Sequence, residues 1–274
     1  MSTEKFAVIG HPIEHSKSPL IHQAFASQFD KSISYEKLLS PLDGFCETVS
    51  RLLSEGYRGA NITVPFKFEA FEASHVLSDR ATAAGAVNTL SFKHEQIIGD
   101  NTDGCGLVND ILKHWQRNIN GQKILLLGAG GAAQGVILPL LAQKPAQLTV
   151  ANRSLDKAQT MVQRFEADAQ LNQAKLAVQT FDDLAENYDI VINATSAGLQ
   201  AEALPLKDTI FAHHTLAYDM MYGRETPFMQ QARAAKAQVC DGLGMLIEQA
   251  AEAFYIWHGL RPDTAPVIQS FRQY

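Results

Sequence analysis

Short apolar runs alternate with amphipathic segments through the first hundred residues, and this alternation predicts strands separated by helices. In the helix predicted at 18–29, Ile21, Phe25 and Phe29 recur at every fourth position. Ser18 is placed to cap this helix, because its hydroxyl can accept from a free N–H of the first turn. The same pattern predicts strands at 5–10, 34–40 and 59–64, a second helix at 41–56 and a hairpin over 86–103.

A different pattern begins at residue 123. The run KILLLG is continuously apolar, as expected for a parallel strand that is buried on both faces. A helix, the strand QLTVANRS at 147–154, another helix and the strand DIVINAT at 189–195 follow it. This β-α-β-α-β order is that of a doubly wound sheet.

We therefore expect an α/β protein with two domains. An open α/β domain covers 1–103, and a doubly wound, Rossmann-type domain covers 104–240, which is entered through a helix at 104–115. The C-terminal segment 241–274 has apolar residues at every fourth position. It is predicted to form helices that pack back on the first domain.

Composition narrows the class of protein. The chain has 274 residues, 46% of them hydrophobic, which suits one large or two modest domains with a sizeable core. Its net charge of −6 argues against a surface that binds nucleic acid or an anionic membrane. Three cysteines without a CxxC pair argue against a disulfide framework or a zinc site. We expect a cytoplasmic enzyme or binding protein that spans no membrane and holds no metal.

A glycine-rich turn follows the first strand of the second domain. Residues 128–133, GAGGAA, have G-x-G-x-x-A spacing between a predicted strand and a predicted helix. Gly128 permits the tight turn, Gly130 lets a pyrophosphate approach the backbone, and Ala133 allows close packing of helix on strand. The helix N-terminus offers free N–H groups to the anion. The turn predicts dinucleotide binding, and the alternative is a tight turn without a ligand.

The next strand indicates which dinucleotide would bind. NAD-binding domains usually place an acid about 20 residues after the glycines, where it binds the ribose hydroxyls. Here the strand ends in Asn152, Arg153 and Ser154. The Arg153 guanidinium, with Lys157 nearby in sequence, suits a 2′-phosphate instead. We therefore expect NADP rather than NAD, and the alternative is an exposed arginine that binds only water.

Four polar clusters lie beside strand ends of the first domain. In an open α/β sheet such ends face the ligand crevice, and hydroxyls and amides there suit a small polyhydroxylated acid. Each has a simpler explanation by itself: Ser16 and Ser18 as caps, Thr63 as a strand residue, Asn88 as a turn residue and Lys67 as a surface charge. Together they favour a binding site. The clusters are 15–18, Asn61 with Thr63 and Lys67, 88–89, and 101–103.

Nine segments of the chain together resemble one family closely. They stand in the order of that family's motifs and cover essentially the whole chain, which is thus similar throughout to the shikimate dehydrogenases, especially the bacterial NADP-dependent monofunctional ones. The segments are GHPIEHSKSPLIH, NITVPFK, AGAVNTL, GDNTDGCG, GAGGAAQG, ANRS, INATSAG, YDMMYGRETPF and DGLGMLIEQAAEAFYIWHG.

The resemblance implies the reversible NADPH-dependent reduction of 3-dehydroshikimate to shikimate, a step of chorismate and aromatic amino acid biosynthesis. It implies that 1–103 bind the substrate and 104–240 bind NADP. It gives Lys67 and Asp103 the catalytic pairing, and it assigns the substrate carboxylate to Ser16 and Ser18. Further substrate contacts that it implies are Thr63, Asn88, Asp103, Tyr222 and Gln249.

The resemblance also implies a set of cofactor contacts. It extends to Asp79, where many relatives carry Glu. The chain departs from the family pattern in two places: Gln23 stands where Asn is frequent, and Gly223-Arg224 where Asn-Pro is frequent, beside the expected nicotinamide loop. The other implied cofactor residues are Gly128, Ala129, Gly130, Gly131, Ala132, Asn152, Arg153, Ser154, Lys157, Thr195, Met220 and Gly242.

These groups suggest a course for the reaction. Hydride transfer to a ring carbonyl leaves an alkoxide, which Lys67 or Asp103 would supply with a proton, and the sequence leaves open which of them does so. On this interpretation Asn61, Thr63 and Lys67 line a substrate cleft.

Two alternative functions are a quinate/shikimate dehydrogenase that prefers NAD and a non-catalytic metabolite-sensing module on the same fold. The assembly state is left open, with a homodimer as one option.

Overall fold

The computed structural model describes residues 3–197 and 202–273. Its internal contacts divide the chain into two compact units. Unit 1 consists of Met1–Gly106 and Leu246–Tyr274, and unit 2 is Leu107–Met245. The chain changes unit a few residues beyond the boundaries at 103 and 240 that the sequence suggested. None of the helices in the described ranges has the length and apolar character needed to cross a membrane.

A six-stranded mixed sheet forms the middle of unit 1. Its strands are β1 (Glu4–Gly10), β2 (Ile33–Leu39), β3 (Gly59–Ile62), β4 (Val76–Leu77), β5 (Thr89–Lys93) and β6 (Gln96–Asp100). They lie in the order β2-β1-β3-β5-β6-β4, with β1 parallel to β2 and β3, and β5 antiparallel to β3 and β6. The carboxyl ends of β1, β3 and β6 and the start of β5 therefore share one edge of the sheet.

Two helix starts in unit 1 differ from the sequence prediction. Ser18 is the first helical residue of α1 (Ser18–Ser27) and not its cap, which is Lys17. The helix predicted from residue 41 begins at Phe45, because Pro41–Gly44 form a turn closed by the Gly44 N–H, which donates to the Pro41 carbonyl at 3.1 Å. The first five helices are α1 (Ser18–Ser27), α2 (Phe45–Ser54), α3 (Lys67–Glu72), α4 (Asp79–Ala84) and α5 (Asp103–Asn109), which continues as a π-helix over Asp110–His114.

A six-stranded parallel sheet forms the middle of unit 2. Its strands are β7 (Lys123–Leu127), β8 (Gln147–Ala151), β9 (Lys175–Gln179), β10 (Tyr188–Asn193), β11 (Phe211–Asp219) and β12 (Gln238–Cys240). The order β9-β8-β7-β10-β11-β12 is the 3-2-1-4-5-6 order of dinucleotide-binding domains, so the predicted doubly wound fold is confirmed. Its helices are α6 (Gly131–Leu141), α7 (Leu155–Gln163), α8 (Glu166–Leu171) and α9 (Pro227–Ala234), with a 3₁₀ turn at Asp208–Ile210.

The C-terminal helices return to unit 1, as predicted. They are α10 (Leu243–His258) and α11 (Ala265–Arg272). Trp257 of α10 stacks on Phe6 with ring centroids 4.7 Å apart, and its Nε1 donates to the Leu90 carbonyl at 3.1 Å. A Cβ at position 59 would lie 2.4 Å from this Nε1, so Gly59 is required for the indole to fit against the sheet.

A buried histidine lies beneath the same helix. His22 of α1 is fully buried and stacks on Tyr35 with ring centroids 4.4 Å apart. Its Nε2 lies 3.1 Å from Asn61 Oδ1. Because an amide oxygen only accepts, Nε2 carries the proton. Its Nδ1 is buried without a hydrogen-bond partner among the described residues, so a second ring proton there would have no acceptor.

We expect His22 to stay neutral at mildly acidic pH. Burial lowers its pKa from 6.5 to about 3, although the hydrogen bond to Asn61 acts in the opposite direction. The unfolded chain therefore binds a proton that the folded chain does not between these two pH values, and the free energy of unfolding should fall as the pH falls through this window. NMR of the His22 ring should show no titration down to about pH 4.5, and a midpoint near 6.5 would contradict the assignment.

Candidate active site

Lys67 and Asp103 form an ion pair at the shared edge of the unit 1 sheet. Lys67 is the first residue of α3, after β3, and Asp103 is the first residue of α5, after β6. Lys67 Nζ lies 2.5 Å from Asp103 Oδ2, and the side chains are 30% and 16% exposed. An ammonium and a carboxylate are thus held in contact while each keeps some accessible surface.

The buried amide of Asn88 connects this pair to α10. Its Nδ2 lies within hydrogen-bonding distance of three oxygens: Asp103 Oδ1 at 2.8 Å, Thr102 Oγ1 at 3.0 Å and Gln249 Oε1 at 3.3 Å. Its Oδ1 accepts from the Thr102 N–H at 2.9 Å, which fixes the orientation of the amide. The structure therefore brings four residues singled out in the sequence into one polar cluster: Lys67, Asn88, Asp103 and Gln249.

Three hydroxyl residues lie at the same sheet edge. Ser16 and Ser18 follow β1, and their Oγ atoms are 3.2 Å apart. Thr63 follows β3 and packs against Gly10, where a Cβ would lie 2.5 Å from Thr63 Cγ2. Because β1 and β3 are neighbouring parallel strands, these hydroxyls and the ion pair share one edge.

Asn61 does not line this site as the sequence suggested. It is only 6% exposed, and its Oδ1 accepts from the Tyr35 hydroxyl at 2.7 Å as well as from His22. Its Nδ2 donates to the Asn88 carbonyl at 3.3 Å and lies 3.2 Å from Thr89 Oγ1. The amide is therefore used inside unit 1, where it fixes the start of β5.

Unit 2 has a pocket of about 420 Å³ at the carboxyl ends of β7, β8 and β10. It lies where the strand order reverses, which is where doubly wound folds bind nucleotides. Among the described residues that line it, none is Asp or Glu. The lining residues are Gly128, Ala129, Gly130, Gly131, Ala132, Asn152, Arg153, Ser154, Lys157, Ala194, Thr195 and Ser196.

The glycines of this pocket serve different purposes. Gly128 has φ of 107°, a left-handed conformation that favours glycine, and its N–H donates to the Ala151 carbonyl at 2.8 Å. A Cβ on Gly130 would meet no protein atom within 4 Å. The protein's own packing therefore does not require glycine at 130. Open space before a helix N-terminus fits a pyrophosphate that approaches the backbone.

The end of β8 presents cationic and amide groups to the pocket. Arg153 and Lys157 are exposed at its rim. Asn152 Nδ2 donates to the Ser154 carbonyl at 2.9 Å, which shapes the turn between β8 and α7. With no carboxylate on the lining, this side of the pocket suits a phosphate better than ribose hydroxyls alone.

Three other residues singled out in the sequence lie at the ends of β10, β11 and β12. Thr195 donates its hydroxyl to Asn193 Oδ1 at 2.7 Å, and the Met220 N–H donates to the Asn193 carbonyl at 3.0 Å. A Cβ on Gly242 would lie 2.1 Å from the Met220 carbonyl oxygen, so glycine is required there. The structure thus links Thr195 and Met220 through Asn193 and packs Gly242 against Met220.

Two residues fall outside these groups. Asp79 is in the first turn of α4 in unit 1, where Ser78 caps the helix by accepting from the Ala81 N–H at 3.1 Å. Tyr222 belongs to unit 2, after β11, and burial raises the pKa of its phenol. In residues 3–197 and 202–273 no group of three His, Cys, Asp or Glu side chains is placed to hold a metal ion.

Sequence reasoning missed an ion-pair cluster beside the unit 1 site. Arg80 of α4 binds Asp100 at the end of β6 and Glu252 of α10. Each of these residues looks like an ordinary surface charge in the sequence. The one available signal was the position of Asp100 immediately before Asn101-Thr102-Asp103, a segment already singled out.

The fold and the two groups of residues define the class of protein. A parallel sheet in dinucleotide-binding order carries a glycine-lined pocket that fits a phosphorylated dinucleotide. The other unit carries a lysine–carboxylate pair suited to moving a proton at a hydroxyl or carbonyl. These features are those of a dinucleotide-dependent oxidoreductase.

Comparison with known proteins gives the family. The chain belongs to the shikimate dehydrogenase family. Residues 8–90 match the shikimate dehydrogenase substrate binding domain, 110–202 match shikimate / quinate 5-dehydrogenase, and 242–270 match the shikimate 5'-dehydrogenase C-terminal domain.

The relatives match over nearly their full lengths. A shikimate dehydrogenase (NADP(+)) from Methylobacillus flagellatus is 56% identical, with 98% of this chain and 99% of that protein covered. One from Herminiimonas arsenicoxydans is 53% identical, with 98% and 97% covered. The crystal structure of shikimate 5-dehydrogenase from Thermus thermophilus in complex with NADP(H) and shikimate is 30% identical, with a TM-score of 0.87 and 99% of each chain covered.

Proposed function

We propose that this protein is a shikimate dehydrogenase that reversibly reduces 3-dehydroshikimate to shikimate with NADPH. The reaction is a step toward chorismate and the aromatic amino acids. The observation that carries the proposal is the contact between Lys67 and Asp103, joined through Asn88 to Gln249, in a chain 56% identical to an NADP-dependent relative.

The hydroxyls and amides of unit 1 would hold the substrate. Ser16 and Ser18 would turn their hydroxyls from one another to the substrate carboxylate, since both follow β1 at the shared sheet edge. Thr63, Asn88 and Gln249 can contact ring hydroxyls, and the family resemblance adds Tyr222 as a proposed substrate contact. The substrate would thus be held by hydrogen bonds at both ends of its ring.

Lys67 and Asp103 would carry the proton transfer. NADPH supplies the hydride when it is bound. The ammonium of Lys67 can stabilise the developing alkoxide and give it a proton, while Asp103 orients Lys67 and accepts from a substrate hydroxyl. Asn88 holds the second carboxylate oxygen of Asp103 at 2.8 Å, so the carboxylate cannot rotate away from Lys67 without losing that bond.

The unit 2 pocket would hold NADP. Backbone N–H groups from Gly128 to Ala132 would bind the pyrophosphate, and Arg153 would bind the 2′-phosphate with Asn152, Ser154 and Lys157. The pocket has a lining suited to these groups. Thr195, Met220 and Gly242 would border the nicotinamide end, and the family resemblance adds Asp79 as a proposed cofactor contact.

The proposal includes a cytoplasmic location and a homodimer. The chain has three cysteines, an odd number that suits a reducing compartment. A biosynthetic enzyme of this kind would also be expected there. Leu39, at the end of the edge strand β2, and Leu42 just after it are 54% and 64% exposed. Such apolar side chains at an uncovered sheet edge would be protected in a pair of subunits.

The direct test is oxidation of shikimate with NADP, followed by the absorbance of the reduced nicotinamide. We expect turnover with shikimate and NADP, much less with quinate, and much less with NAD, because Arg153 stands where NAD-dependent domains carry an acid. Absence of shikimate turnover would refute the proposed function. Equal use of NAD would refute the cofactor assignment alone.

Replacing Lys67 should nearly abolish turnover. A positioned acid–base group contributes about 10²–10⁴-fold, so Lys67→Ala should lower kcat by at least roughly 10²-fold. The KM values for shikimate and NADP should change far less, because the hydroxyls and the glycine turn still hold the ligands. Lys67→Met keeps most of the side-chain volume, and Lys93→Ala removes an exposed lysine of β5 as the matched control. A Lys67→Ala enzyme within about threefold of wild-type kcat would exclude the assigned role.

Removing the Arg153 guanidinium should weaken NADP use specifically. A charge-assisted bidentate contact is worth about 1.5–3 kcal/mol, so Arg153→Ala should raise the NADP KM by roughly tenfold or more. The KM for NAD, which lacks the 2′-phosphate, should change little. Arg233→Ala is the control, since Arg233 is an exposed arginine of unit 2 in an ion pair with Glu225. An unchanged NADP KM would show that the phosphate is bound elsewhere.

A further inference from the structure

A cluster of four charged side chains ties three elements of unit 1 together. Arg80 Nε and Nη2 donate to the two oxygens of Asp100 at 2.6 and 2.9 Å. Its Nη1 donates to Glu252 Oε1 at 3.1 Å. Glu252 Oε2 accepts from Arg261 Nη1 at 2.8 Å. The guanidinium of Arg80 thus links α4, the end of β6 and α10 through all three of its nitrogens.

These carboxylates are held in their charged form. Burial raises the pKa of Asp100, but the hydrogen bonds and charge of Arg80 more than offset this, and the net pKa is lowered. The pKa of Glu252 is lowered in the same way, by Arg261 and Arg80 against burial. The Asp100 and Glu252 side chains are only 16% and 10% exposed. Removal of Arg80 would therefore leave the partly buried Asp100 without its cation and Glu252 with Arg261 alone.

One arm of the cluster leads to Asp103. Asp100 Oδ1 accepts from the Asn101 N–H at 2.7 Å, and Asn101 Oδ1 accepts from the Asp103 N–H at 3.1 Å. Asn101 Nδ2 donates to the Ala86 carbonyl at 3.0 Å, so its side chain is fixed at both ends. The position of Asp100 therefore sets the backbone from which the Asp103 carboxylate projects.

The other arm leads to Gln249. Glu252 follows Gln249 by three residues on α10, so both lie on one face of the helix. Gln249 Oε1 lies within 3.3 Å of both Asn88 Nδ2 and Thr102 Oγ1. The link from Glu252 to Arg80 therefore holds this face of α10 against the polar cluster that contains Asn88 and Asp103.

We infer that Arg80 is a positioning residue for the substrate: it sets the distance between Gln249 and Asp103 by binding Glu252 and Asp100 at once. This inference rests on the proposed function, because Gln249 and Asp103 are taken as substrate contacts. A purely structural Arg80 would only keep α10 in place. Its loss would then reduce the fraction of folded enzyme and lower the apparent kcat, while the shikimate KM of the remaining enzyme stayed unchanged.

The test is steady-state kinetics of Arg80→Gln and Arg80→Lys in the full chain. Arg80→Gln should raise the shikimate KM roughly five- to tenfold, as expected when one ligand hydrogen bond is misplaced, and leave the NADP KM within about twofold. Arg80→Lys should give an intermediate value, since an ammonium keeps the charge but cannot bind both carboxylates as a planar fork does. Arg51→Gln, which removes an exposed ion pair with Glu55, is the matched control.

A double-mutant cycle shows whether Arg80 acts through Gln249. In the wild type, Arg80→Gln is expected to raise the shikimate KM by a certain factor. In the Gln249→Ala background, the factor by which Arg80→Gln raises this KM should be less than about half as large. If Arg80→Gln does not fold, Glu252→Gln removes one arm and should raise the same KM by a smaller factor.

The outcomes separate the two levels of the proposal. An unchanged shikimate KM in the folded variants, or fully additive effects in the cycle, would overturn the positioning role while wild-type turnover upheld the function. A wild type that does not turn over shikimate would overturn the proposed function, and this inference with it.

Discussion

The side-chain amide of Asn88 is the junction on which the unit 1 site depends. It is almost fully buried, so its donor and acceptor groups must find partners within the protein. The Thr102 N–H fixes its oxygen, which directs its nitrogen toward Asp103 and Gln249. A carboxylate held in this way keeps its other oxygen on Lys67. The geometry of the ion pair thus follows from the need to satisfy one buried amide.

The need for these partners also explains why the site combines the N-terminal part of the chain with α10, which lies near its C-terminal end. Asn88 and Gln249 are 161 positions apart, and Arg80 and Glu252 are 172 apart. Contacts of this range form only when α10 packs on the unit 1 sheet. The packing depends on apolar contacts such as Trp257 on Phe6 and on the small size of Gly59. Apolar burial brings the helix to the sheet, and the polar bonds then set its register.

The sequence predicted features whose cause is local. The strand order of unit 2 follows from its alternating pattern, and the turn at Gly128 follows from glycine spacing between a strand and a helix. The start of α2 was misjudged because Pro41 suits a first helical turn as well as the turn it forms here. Asn61 was misplaced for another reason: a strand pattern shows that a polar side chain is present but not that Tyr35 and His22 supply its partners. Arg80 was missed because the two carboxylates that it binds, Asp100 and Glu252, are far from it in the sequence.

The contrast between the two units follows from the kind of group that is proposed to bind the ligand in each. In unit 2 the groups proposed to bind the ligand are mostly backbone N–H groups at a helix N-terminus, and glycine in the sequence marks where the backbone must stay accessible. Even there the residue type has two causes: Gly130 leaves space that no protein atom fills, whereas Gly242 allows the Met220 carbonyl to approach. In unit 1 the groups proposed to bind the substrate are side chains from four strand ends. Their spacing in the sequence carries no period, so only the topology of the sheet explains why Ser16, Lys67, Asn88 and Asp103 meet at one edge.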